Sequence, residues 1–137
     1  MFTYSLLQNL LISVLLIDVF LRKKEVIMES LIRDIKLAPE GRKKIEWVSN
    51  FMPALNSLRE EFKASHKFEG KTVVVSVHLE AKTAYLSTIL KEAGADVIVT
   101  GSNPLSTQDD VAAALVDMGL TVYAWHDCTE EEYFHRS

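Results

Sequence analysis

From residue 71 onward the chain alternates between two kinds of apolar run. Residues 71–77 read Lys-Thr-Val-Val-Val-Ser-Val, β-branched and nearly continuous, the pattern of a strand buried on both faces of a parallel sheet. Ala84, Leu86, Ile89, Leu90 and Ala93 then keep helical spacing up to Gly94, a C-terminal stop. Residues 95–100 read as a second strand, 107–118 as a second helix ended by Gly119, and 120–125 as a third strand. Ser106 and Asp109 have the spacing of a capping box, with Asp in place of Glu, and Asp110 adds negative charge to the first turn. Thr129, followed by Glu130, Glu131 and Glu132, predicts one more helix start. Ahead of the strands, Ile45, Val48, Met52, Leu55, Leu58 and Phe62 form one helical face. Pro53 interrupts it and predicts two helices, or a kink, near Phe51 and Met52. The order, helices and then β-α-β-α-β-(α), predicts an α/β fold. Its core is a three-layer, Rossmann-like parallel sheet, incomplete, preceded by helices and covered on both faces.

Residues 6–21 do not belong to this pattern. They are strongly apolar, interrupted by Gln8, Asn9 and Asp18, and followed by Arg22, Lys23 and Lys24. As a membrane span the stretch is short of the ~20 residues a bilayer core needs. A deep Asp18 costs about 2.5–3.5 kcal/mol against the apolar gain, so insertion is marginal. No positive charge precedes the run and no small-residue cleavage site follows it, which argues against a secretory signal. The expectation is that residues 1–27 are a leader outside the working domain and that the domain runs over 28–137, with Met28 as its start. A weak anchor and an extra amphipathic helix are the other readings. For an anchor, the three basic residues would keep the downstream domain cytoplasmic.

Composition narrows the class. A chain of 137 residues fits one domain with a core of its own. The net charge of −4 gives no reason to expect a nucleic-acid partner. Cys128 is the single cysteine, so there is no internal disulfide framework, and a reducing compartment suits the chain. His66, His78, His126 and His135 have no metal-ligand spacing, and no metal is expected.

In parallel sheets ligands bind beyond the carboxyl ends of the strands. Three loops fall there: residues 78–83, 102–108 and 126–128. They carry His78, Glu80, Lys82, Thr83, Asn103, Ser106, Thr107 and Gln108, and the helix N-termini add free amides. Each side chain also has a structural reading: Ser106 as a cap, Thr83 as packing in a first turn, Glu80 and Lys82 as surface charges, His78 as a satisfied structural histidine. No nucleophile–base pair can be assembled, and no Gly-x-Gly-x-x-Gly follows a strand. From pattern alone the chain is a nucleotide- or small-ligand-binding α/β fragment.

Several blocks carry a more specific resemblance. Asp34-Ile35-Lys36-Leu37-Ala38, Gly41-Arg42-Lys43-Lys44-Ile45-Glu46-Trp47 and Met52-Pro53 resemble the opening of the S-adenosylhomocysteine hydrolase (adenosylhomocysteinase) family. So do His78-Leu79-Glu80-Ala81-Lys82-Thr83-Ala84, Asn103-Pro104-Leu105-Ser106-Thr107-Gln108-Asp109, Tyr123-Ala124-Trp125 and Glu131-Glu132-Tyr133, all in family order and spacing. The resemblance implies reversible hydrolysis of S-adenosylhomocysteine to adenosine and homocysteine by a cytoplasmic homotetramer with tightly held NAD, in the methyl cycle. It implies that His78 lies beside the nucleoside and the leaving sulfur and handles a proton. It implies that Glu80, Lys82 and Thr83 line the nucleoside pocket and that Asn103, Ser106, Thr107 and Gln108 form a loop beneath it. It also implies that the family's Asp-Asp-Gly-Gly-Asp segment, catalytic lysine and aspartate, second histidine and NAD-binding domain have no counterpart here. The chain alone is therefore expected to be inactive and to hold no NAD.

One departure has chemical content. Many family members have Thr where Glu80 stands and Glu where Lys82 stands, while one branch shares the form seen here. An ammonium only donates hydrogen bonds, so Lys82 suits a carbonyl-bearing base better than adenine's amino group, and S-inosylhomocysteine becomes an alternative substrate. Glu80 is left to accept from adenine or to pair with Lys82. The reading from another class is a stand-alone nucleoside-binding or regulatory domain without catalysis.

Overall fold

The computed structural model describes residues 29–134, so the expectations for residues 1–27 lie outside the described residues. After a 3-10 turn at Ile35–Leu37 the elements are α1 (Ala38–Ser49), α2 (Pro53–Ser65), β1 (Thr72–Val77), α3 (Ala81–Glu92), β2 (Asp96–Gly101), α4 (Asp109–Asp117), β3 (Thr121–Tyr123) and α5 (Glu130–Phe134). Pro53 divides the long apolar stripe as its chemistry dictates. α1 ends at Ser49, and Pro53 takes the first turn of α2, where its missing N–H costs nothing. None of the described helices is long and apolar enough to cross a membrane.

The three strands are parallel in the order β1-β2-β3, with Val75 beside Val99 and Val99 beside Val122. Right-handed crossovers between strands in sequential order place α3 and α4 on the same face. Val73, Val75, Val97, Val99 and Val122 meet the core on that face, together with Leu79, Ile89, Val111 and Leu115. α1 stacks on α3 and α4, and α2 on α3. The result is an α/β layer structure with a parallel, open sheet, as the order of elements predicts.

The expected burial of β1 on both faces is not found. Thr72, Val74 and Ser76 are exposed, Val74 by 62%. β1 lies at an edge of the sheet and its second face has no cover among the described residues. The β-branched run therefore marks a strand but not two buried faces. Two smaller expectations also shift. Leu86 is exposed, and Tyr85 and Ser87 take the buried positions on α3. Leu58 is exposed on α2, where Asn56 faces inward instead and accepts from the Tyr85 hydroxyl.

Both crossover helices end on glycine as predicted. Gly94 has φ +96°, donates to Lys91 O at 3.0 Å, and lets Ala95 donate to Leu90 O at 3.1 Å. Together these bonds make a Schellman turn that feeds the chain straight into β2. The loop before α1 closes the other edge: Leu31 donates to Val122 O at 2.8 Å and accepts from Ala124 N at 3.1 Å. The helix start predicted at Thr129 is found and is closed by a reciprocal cap, with Thr129 N donating to Glu132 Oε2 at 2.8 Å and Glu132 N to Thr129 Oγ1 at 3.3 Å.

Candidate functional site

The first loop leaves β1 at Val77 and enters α3 at Ala81. Leu79, fully buried, pins it to the core, while His78 and Lys82 on either side stay exposed and Glu80 half-buried. Thr83 Oγ1 donates back to His78 O at 2.8 Å and fixes the histidine backbone against the first turn of α3. Glu80 Oε1 and Lys82 Nζ stand 3.9 Å apart, a loose surface pair.

The second loop departs from the expectation at its helix. Residues 104–106 form a separate 3-10 turn, Thr107 is extended, and α4 begins at Asp109. Ser106 and Asp109 therefore do not form a capping box. Pro104 drives the tight turn, and the Asn103 side chain caps it by accepting from Leu105 N at 2.9 Å. That frees the Ser106 hydroxyl for other partners. It lies 3.1 Å from Asn103 O and 2.6 Å from His78 Nδ1. Thr107 is buried, donates from Oγ1 to Asn103 O at 3.1 Å, and fills the space beside Gly101, where a Cβ would fall 2.6 Å from Thr107 Oγ1.

Backbone bonds tie the two loops together. Ser102 N donates to Val77 O at 3.1 Å and Gln108 N to Leu79 O at 3.0 Å. The third loop is drawn to the second: His126 Nδ1 donates to Thr107 O at 3.2 Å and Asp127 N to Pro104 O at 3.2 Å. The three loops thus form one rim beyond the carboxyl ends of the strands. His78, Thr83, Asn103, Ser106 and Thr107 come together in it through the bonds described. The Gln108 side chain does not join them. Its Oε1 accepts from Lys44 Nζ at 3.4 Å and faces a groove lined by Glu40, Lys43, Lys44, Trp47, Val48 and Ala81.

Two residues that hold the rim are not among the site residues read from sequence. Arg33 donates to His126 O at 2.6 Å, and Asp109 Oδ1 accepts from His126 N at 2.7 Å. Arg33 lies 93 residues from His126, so no local pattern announces the contact.

NAD, which the resemblance implies, finds no cradle among the described residues. A dinucleotide turn needs glycines where backbone approaches pyrophosphate at a helix N-terminus. After β1 the turn is His78-Leu79-Glu80, with a buried Leu, and after β2 the space beside Gly101 is already taken by Thr107. No step is assigned to NAD on these residues.

A parallel sheet with a polar, hydrogen-bonded rim at its strand ends is the arrangement at which α/β domains bind small molecules. The family model described as S-adenosyl-L-homocysteine hydrolase matches residues 29–137, and the chain belongs to that family. An S-inosyl-L-homocysteine hydrolase from Methanopyrus kandleri is 55% identical over 106 residues, 77% of this chain and 25% of the relative. Another from Methanococcus maripaludis is 53% identical over 103 residues, 75% of this chain and 25% of the relative. An adenosylhomocysteinase from Pyrococcus abyssi is 52% identical over 103 residues, 75% of this chain and 24% of the relative. The chain spans about a quarter of the length of these curated relatives.

Proposed function

We propose that residues 29–134 form one wall of a nucleoside cleft in a hydrolase that cleaves S-adenosylhomocysteine, or its inosyl counterpart, into nucleoside and homocysteine. The observation that carries this reading is the 2.6 Å contact between His78 Nδ1 and Ser106 Oγ, which joins two polar loops at adjacent strand ends. Membership of the family supports the class of reaction. Relatives named for both substrates support either base. A sulfur leaving carbon as thiolate takes up a proton, and the imidazole of His78 supplies it and takes it back in the reverse reaction. Glu80, Lys82, Thr83 and Asn103 contact the nucleoside. Ser106 and Thr107 hold the loop beneath it, and Gln108 closes its α1 side. In the working enzyme the rest of the machinery, with NAD, belongs to the cytoplasmic homotetramer of the methyl cycle.

Lys82 decides the base in this reading. Its ammonium donates to the carbonyl of hypoxanthine, whereas adenine's amino group asks for an acceptor. The test is a chimera in which residues 29–134 replace the matching quarter of the Pyrococcus abyssi enzyme. An active chimera that prefers the inosyl substrate, and shifts toward the adenosyl one with Lys82→Glu, supports both the function and the role of Lys82. An adenosyl preference already present with Lys82, or an inosyl preference that survives Lys82→Glu, removes the role. A folded chimera whose activity is indifferent to His78→Asn removes the site.

A further inference from the structure

The Ser106 hydroxyl has one proton and two acceptors within reach, His78 Nδ1 at 2.6 Å and Asn103 O at 3.1 Å. Asn103 O is already supplied: it accepts from Ser106 N at 3.2 Å and from Thr107 Oγ1 at 3.1 Å, which fills both lone pairs of a carbonyl. The 2.6 Å separation is short for an N–H donor, whose range begins at about 2.7 Å, and suits an O–H donor. In the neutral ring the hydroxyl proton therefore points at Nδ1, and the ring's own proton sits on Nε2. When the ring gains a second proton, Nδ1 becomes a donor. The hydroxyl then turns its proton away from the ring, and its oxygen accepts from Nδ1. No heavy atom moves in either state, and Thr83 holds the His78 backbone throughout.

We propose that Ser106 is the positioning residue of His78, a rotating hydroxyl that keeps Nδ1 bonded in both charge states and leaves Nε2 as the nitrogen that meets a ligand. This rests on the nucleoside-cleft reading only for what Nε2 meets. In the proton transfer to a leaving thiolate, the proton departs from Nε2 of the charged ring. The Nδ1 proton stays in its bond to Ser106, and charge is conserved as imidazolium and thiolate become imidazole and thiol.

The test is nitrogen-15 NMR of the ligand-free 137-residue chain at a pH where imidazole is neutral, with solvent-exposed His66 as the internal reference. His78 is expected to be held on the Nε2–H tautomer, with a ratio about tenfold above that of His66, the worth of one hydrogen bond. Ser106→Ala brings His78 down to the ratio of His66, and Ser106→Thr, which keeps a hydroxyl, restores it. A wild-type His78 that matches His66 overturns the proposal even if the Ala variant does not fold. So does a Ser106→Ala variant with an unchanged ratio. Because the measurement uses no ligand, its failure leaves the nucleoside-cleft reading standing, and failure of the chimera leaves the tautomer result standing.

Discussion

The seam between α1 and α4 and the rim of loops above the strands are both well ordered by their contacts, but by opposite means. At the seam, backbone meets backbone. Gly41 of α1 lies so close to α4 that a Cβ would fall 1.9 Å from Asp110 O and 2.9 Å from Ala114 Cβ. Ala112, Ala113 and Ala114 are fully buried, small residues that let the helices approach. At the rim, exposed or half-buried side chains are held by hydrogen bonds, and His78, Lys82 and Glu80 keep access to solvent. A packed seam tolerates no added atom. A bonded rim tolerates substitution in stability and loses alignment instead. Function collects where side chains are held without being enclosed.

The largest effect expected on that contrast is Gly41→Ala. One methyl against the Asp110 carbonyl forces α1 off α4, at a cost of about 3 kcal/mol or more, read from urea unfolding. If Gly41→Ala unfolds at the wild-type midpoint, the seam is not packed as described. Next is Leu79→Ala, which removes a fully buried side chain from within the rim loop itself. It is expected to cost about 2–5 kcal/mol. It also frees His78, which the nitrogen-15 tautomer ratio reads independently of stability.

A smaller effect belongs to the α2–α3 contact. Arg59 donates to both Glu92 oxygens at 2.6 Å. Those bonds hold the Glu92 carboxyl below its ordinary range against the opposing effect of burial, and raise the Arg59 guanidinium in turn. A carboxylate lowered in the folded state adds stability above its unfolded value, about 4.3. That stability is lost as pH falls from there through the lowered value. The pair is about a third exposed, so the loss is discounted to about 1 kcal/mol. Glu92→Gln should flatten that part of the acid limb in a pH series of thermal unfolding. An unchanged limb would remove the pair from the account.

The same contrast explains what was legible in the chain. Elements set by periodicity and by glycine and proline came through: the break at Pro53, the stops at Gly94 and Gly119, and the three parallel strands. So did the gathering of three loops at one end, because strand order and crossover hand fix it. The capping role given to Ser106 failed because Pro104 inserts a 3-10 turn that ends the loop two residues later than the spacing suggests. Burial of β1 failed because a run of valines reports strand propensity, while cover depends on what packs over the second face. The Arg33 bond to His126 was invisible, since only the closed fold brings residues so distant together.

The most direct test of the central claim is a titration of the 137-residue chain with adenosine and with inosine, followed by NMR shifts residue by residue. The account predicts saturable changes confined to residues 78–83 and 102–108, including the His78 ring and the Ser106 amide. Changes centred on Trp47 and the groove beside Gln108, or none at the rim up to the solubility limit of the nucleosides, would contradict it.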